Sequence, residues 1–168
     1  MTPPALRDAL ESGRETFRYH WLKLRAVAHP TEDVARVRQA VAFVGGAPHP
    51  TAANEPDPIL DTVMETHHGL SSHVLELTVA RSRALRDVLV RLFEVPGLRE
   101  AVRRTIESRT DDDGVLYVRL DKQEAYRGRL ALTQGEDCVQ LRLKMEAYPA
   151  GRAASLAALD RLLGSGRP

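Results

Sequence analysis

The sequence predicts an α+β fold, a two-layer sandwich in which a mostly antiparallel sheet of about six strands packs on about four helices on one face. Three observations carry this. Apolar residues alternate with polar ones over Tyr19–Ala28, Val115–Leu120 and Val139–Tyr148, the period of a half-buried strand. Other segments repeat at helical spacing: Val34, Val37, Val41 and Val44, then Leu85, Val88, Leu89, Leu92 and Phe93, then Leu156, Leu159, Leu162 and Leu163. Glycine and proline fall between these runs rather than inside them.

Taken in order, residues 1–18 form an N-terminal extension in which Leu6 and Leu10 allow only a short, marginal helix near Pro3, Pro4 and Gly13. The main domain spans 19–163, and 164–168 is a tail. In the first strand Leu22, Leu24, Ala26 and Ala28 face inward, opposite Trp21, Lys23, Arg25 and Val27. Thr31 then caps a helix that Glu32 and Asp33 favour electrostatically, and Gly45-Gly46 stops it. After the proline-rich loop 47–57, Ile59–Thr66 and His73–Ala80 read as two strands joined by a turn containing His67, His68 and Gly69. Together with His73, His67 and His68 read as incidental histidines at a turn rather than zinc ligands, because a zinc site needs three or four suitably spaced ligands.

Ser82 caps the next helix and Pro96 follows it, with a second helix over about Gly97–Arg109. Asp111-Asp112-Asp113-Gly114 reads as a turn, since the spaced ligands and closing Glu of an EF-hand are missing. The central strand follows, with Leu116, Val118 and Leu120 on one face and Tyr117 and Arg119 on the other. From Asp121 to Arg127 the chain turns polar, the signature of a solvated strand end. Gly128–Thr133 and Val139–Tyr148 close the sheet, and Arg152–Leu163 is the last helix.

Composition narrows the function. A chain of 168 residues, 43% hydrophobic and 28% charged, suits one ordinary domain. A formal charge of +1 excludes a uniformly basic coat, so a nucleic-acid site must be a local patch. Only three of the 24 basic residues are lysines, leaving 21 arginines, whose planar fork suits phosphate. Cys138 is the single cysteine, which rules out an internal disulfide, and it reads as a small filler at a strand start. No signal peptide or long apolar run is evident, so a cytoplasmic location is expected. No enzyme constellation or cofactor-binding motif stands out: a phosphate-cradling glycine loop, a dinucleotide fingerprint, G-x-S-x-G and H-E-x-x-H are all missing. Asp121, Lys122 and Glu124 do not make a convincing metal-assisted phosphodiesterase, because nothing sets one carboxylate apart as desolvated.

The run L-D-K-Q-E-A-Y-x-G, followed by V-Q-L-R-L-K-M-E-A-Y, resembles an archaeal family of small RNA-binding proteins; A-H-P-T-E-D-V-A-R-V strengthens the likeness. That family is described as exosome-associated. Its fold is likened to double-stranded-RNA-binding domains and to the ribosomal protein that holds 5S rRNA. The resemblance implies an RNA-binding accessory protein in RNA processing or degradation, with structured or single-stranded RNA and exosome subunits as partners and no membrane. In that reading Lys122 and Arg127 meet the RNA backbone, Gln123 meets a base edge or 2′-hydroxyl, and Tyr126 stacks. Asp121 and Glu124 would orient Lys122 and Arg127. On the outward sheet face Lys23, Arg25, Arg119, Arg142 and Lys144 would touch phosphates if their strands are neighbours. Trp21 and Tyr117 add aromatic surface there. A protein-interaction module with no direct RNA contact remains the alternative.

Overall fold

The computed structural model describes residues 18–47, 56–65 and 69–164. The N-terminal extension apart from Arg18, residues 48–55 of the proline-rich loop, Thr66 with the turn at His67 and His68, and the tail beyond Gly164 lie outside these. Five strands are present among the described residues: β1 (Tyr19–Ala28), β2 (Ile59–Glu65), β3 (Ser71–Val79), β4 (Val115–Asp121) and β5 (Cys138–Met145). Five helices accompany them among the described residues: α1 (Val34–Gly45), α2 (Ser82–Phe93), α3 (Leu98–Arg104), α4 (Lys122–Tyr126) and α5 (Arg152–Gly164). The class is α+β, as expected. The strands form one sheet in the order β2-β3-β1-β5-β4, and β2 pairs antiparallel with β3 from Ile59↔Leu77 to Glu65↔Ser71.

The alternation read from sequence is the alternation observed. In β1, Leu22, Leu24, Ala26 and Ala28 are buried; in β5, Val139, Leu141, Leu143 and Met145 are. The intervening positions, Lys23, Arg25, Gln140, Arg142 and Lys144 among them, are only partly buried, because a strand turns successive side chains to opposite faces.

The expected sixth strand is not there. Residues 128–133 make only an isolated bridge, Leu120↔Leu132, with Asp121 N–H donating to the Ala131 carbonyl and Thr133 N–H to that of Arg119. The reason is local. Arg129 is held back onto Glu124 by two side-chain hydrogen bonds, and its own N–H donates to the Glu124 carbonyl, so the chain leaves α4 in a turn.

The chain divides into two compact units, Met1–Leu22 with Ala80–Val118 and Arg142–Pro168, and Lys23–Val79 with Arg119–Leu141. In the second, α1 packs against β3 and α4. Its N-cap is Asp33, whose carboxylate accepts from Ala35 N–H at 2.9 Å, in place of the expected Thr31. Thr31 lies two residues too early, whereas Asp33 has the extended backbone of a cap. Gly46 ends α1 as expected.

In the first unit, α3 packs against α2 and α5. Helix α3 stops at Arg104, short of the expected Arg109, and turns carry the chain on to Thr110. Helix α2 starts at Ser82 with Arg81 as its N-cap and no side-chain cap, so Ser82 does not play the capping part expected of it.

The acidic turn is built around Asp111. Its carboxylate accepts from Val115 N–H at 2.8 Å and from the Tyr117 hydroxyl at 3.0 Å. Gly114 closes the turn at φ +76°, and a Cβ there would come within 2.3 Å of Ser155 Oγ on α5. Gly114→Ala therefore costs about 2 kcal/mol or more, combining left-handed strain with a steric clash. Chemical denaturation checks this: the midpoint moves to clearly lower denaturant, and an unchanged midpoint would show that Ser155 and α5 yield freely.

Candidate nucleic-acid interface

The polar run after β4 folds as α4, a helix of five residues. A helix this short has little stability of its own. Asp121 caps it, accepting from Glu124 N–H at 2.8 Å. The expected pairing of Asp121 with Lys122 does not form, because that carboxylate is engaged by the backbone instead.

Lys122 is the residue whose placement sequence reasoning misjudged most. Expected at phosphate, it is 2% exposed. Its Nζ donates to the Val27 carbonyl at 2.9 Å and to Glu32 Oε2 at 2.7 Å, and lies 2.5 Å from Asp137 Oδ1. One ammonium has three donors. Here they tie the end of β1, the approach to α1 and the approach to β5. Lys122 belongs to the framework of the site rather than to its surface.

The other residues of this stretch are placed differently. Gln123 and Arg127 are exposed and Tyr126 is partly buried. The Arg36 guanidinium lies 5.6 Å from the centre of the Tyr126 ring, at cation–π range. Glu124 behaves as expected toward Arg127, which contacts it at 3.1 Å. It also receives Arg129, at 2.6 and 3.0 Å. Hydrogen bonding from Arg129, reinforced by Arg127, lowers the Glu124 pKa to about 2.

A lowered carboxyl pKa stabilises the fold in full above the unfolded value near 4.5, and that contribution disappears as pH falls through the folded value of about 2. Wild-type protein therefore loses more stability between pH 5 and pH 2 than Glu124→Gln does. Parallel denaturation curves across that range check it, and identical pH profiles would show that the pair adds nothing in solution.

On the outward sheet face, Lys23 and Arg25 stand on β1, Arg119 on β4, and Arg142 and Lys144 on β5, all partly exposed. The strands β1, β5 and β4 are consecutive in the sheet. Within the second unit, Arg25 lies 3.8 Å from Glu76, and Arg119 reaches the Gln134 carbonyl at 3.5 Å. A recess of about 260 Å³ opens there, lined by Arg25, His29, Arg119, Glu136 and Gln140 over Ala26, Val27 and Cys138. Burial raises the Cys138 thiol pKa, so at neutral pH this side chain carries no charge.

Within the first unit, Lys144 donates to the Asp113 carbonyl and Arg142 lies beside Tyr117. The Tyr117 hydroxyl is committed to Asp111, which leaves its ring rather than its oxygen for contact. Sequence reasoning singled out neither Arg38, which donates to Asp61 at 3.0 Å and pairs with Asp57, nor the partnership of His73 with Asp61 at 2.9 Å. No group of three or more metal-ligating side chains occurs among the described residues.

A family model described as RNA binding matches residues 21–145, nearly the whole of the described strands and α1–α4. The chain belongs to this RNA-binding family. An RNA-binding protein of Pyrococcus abyssi is 27% identical over 147 residues, covering 86% of this chain and 93% of that one. Two solved structures agree with the fold, both described as DUF54 proteins. One, from Archaeoglobus fulgidus, superposes with a TM-score of 0.73 at 27% identity, covering 86% of this chain and 99% of that one. The other, from Methanothermobacter thermautotrophicus, gives 0.68 at 29% identity, with 88% and 99% covered. The family match begins at Trp21 and ends at Met145, so it takes in Lys23, Arg25, Arg119, Arg142, Lys144 and all of α4.

Proposed function

We propose that this chain is an RNA-binding accessory protein, without catalytic activity of its own, that acts with exosome subunits in cytoplasmic RNA processing or degradation. The observation that carries the RNA part is the family match, which spans the strands bearing the five outward cations. Phosphate contacts from such side chains orient a protein on RNA without reading sequence. The exosome part, and recognition in the manner of a double-stranded-RNA-binding domain, rest on the resemblance of L-D-K-Q-E-A-Y-x-G and its flanking strands.

Protein docking is a second reading, favoured by one observation. The edge strand β2 exposes Leu60 (62%), Val63 (56%) and Met64 (52%). Apolar side chains along an unpaired strand edge invite another chain.

A salt-titrated binding assay with structured and single-stranded RNA separates the two. RNA binding through phosphates releases counterions, so affinity falls steeply and log-linearly with salt. Affinity for RNA that is absent at low salt, or indifferent to salt, would remove the RNA reading and leave the β2 edge as the functional surface.

A further inference from the structure

The recess in the second unit has a chemistry more specific than a basic face requires. Two guanidiniums, from Arg25 and Arg119, line it together with the His29 imidazole, the Gln140 amide and the Glu136 carboxylate. Its volume of about 260 Å³ is below the roughly 300–1,000 Å³ of pockets that hold drug-sized ligands. A duplex cannot enter such a space; one nucleotide unit can. We infer that this recess holds a single unpaired nucleotide of a bound RNA, with its phosphate at Arg25 and Arg119 and its base edge at Gln140.

The assignment rests on the RNA-binding reading above and extends it. Arg25 and Arg119 hold their present partners at 3.8 and 3.5 Å, longer than the roughly 2.7–2.9 Å of a charge-assisted bond to phosphate, so an incoming phosphate displaces weak contacts. Gln140 carries both donor and acceptor on one amide, as a base edge demands. Glu136 can accept from an exocyclic amino group or a 2′-hydroxyl. Val27 and the neutral Cys138 thiol supply apolar wall without competing charge. Unpaired nucleotides are where proteins read RNA bases, because the deep, narrow major groove of an A-form helix hides base edges from side chains.

The test compares two RNA hairpins, one fully paired and one with a single-nucleotide bulge, against the full chain and the variants Gln140→Ala and Arg119→Gln. Melting curves establish that each variant is folded, and Arg25→Gln replaces either one that is not. Wild type is expected to prefer the bulged hairpin by about tenfold, the discrimination of one good polar base contact. In the variants the ratio of the two affinities falls toward one, whatever the absolute values. Equal wild-type affinities, or a preference that survives in the variants, overturns the recess as a nucleotide site while leaving RNA binding intact. Binding to neither hairpin overturns the RNA-binding reading and this inference with it.

Discussion

Lys122→Ala lowers the melting temperature by about 5–10 °C, the largest stability loss expected from any single polar side chain in this protein. The ammonium is 2% exposed and meets Val27, Glu32 and Asp137 together. Removing one partner of a buried ion pair costs about 3–5 kcal/mol, because the other charge is left without compensation. The side chains of Glu32 and Asp137 are 21% and 55% exposed, so both recover some hydration and the loss falls to about 2–3 kcal/mol. At roughly 2–4 °C per kcal/mol for a chain of this size, that gives the stated shift.

Lys122→Met separates charge from packing, since it keeps most of the apolar stem. Combined with Glu32→Gln, it should cost less than the two single changes added together, as expected for groups in direct contact. A Lys122→Ala protein that melts within about 1 °C of wild type would place the ammonium in solvent and return Lys122 to the RNA-contacting set.

Lys122 also marks where reading the sequence reaches its limit. The buried faces of β1, β4 and β5 were legible because strand alternation is local: Leu22, Leu24, Leu141 and Leu143 declare themselves by spacing alone. The stripe of α1 was legible for the same reason. The environment of Lys122 was not, because Glu32 lies 90 residues away and nothing local distinguishes a lysine that will be enclosed from one that will be solvated.

Helix α4 was missed on different grounds. Five residues carry too little periodicity to signal a helix, and what fixes it is the Asp121 cap together with tertiary bonds from its first residue. The cap has a sequence signal, Asp three residues before Glu, which is half of a capping-box pattern. The sixth strand failed because Arg129 prefers Glu124 to a strand partner, a side-chain choice that alternation does not register. For the interface, the outward cations were legible one by one, while the recess was not. It depends on β1, β5 and β4 being consecutive, and sequence could state that only as a condition.

The Arg142→Gln/Lys144→Gln double variant has the largest expected effect on RNA affinity. Both residues occupy outward positions of β5, two residues apart, the spacing of neighbouring side chains on one strand face. Lys144 donates to the Asp113 carbonyl of an exposed turn, and Arg142 lies beside Tyr117. Glutamine keeps length and polarity, so the turn and the buried face of β5 should survive and melting should shift by only a few degrees. A hydrogen bond to a charged group is worth about 1.5 kcal/mol or more, so removing two cations from phosphate weakens RNA binding by about 100-fold. Because phosphates carry no base identity, unrelated RNA sequences should be affected alike. The slope of log affinity against log salt should also become shallower, by roughly 0.7 for each phosphate no longer neutralised on a single strand, or 0.9 on a duplex. That slope separates missing phosphate neutralisation from partial unfolding, which lowers affinity without changing the number of counterions released by the folded fraction. A folded double variant with wild-type affinity and wild-type salt slope would take this end of β5 out of the interface and leave Arg25, Arg119 and Arg127 to account for RNA binding.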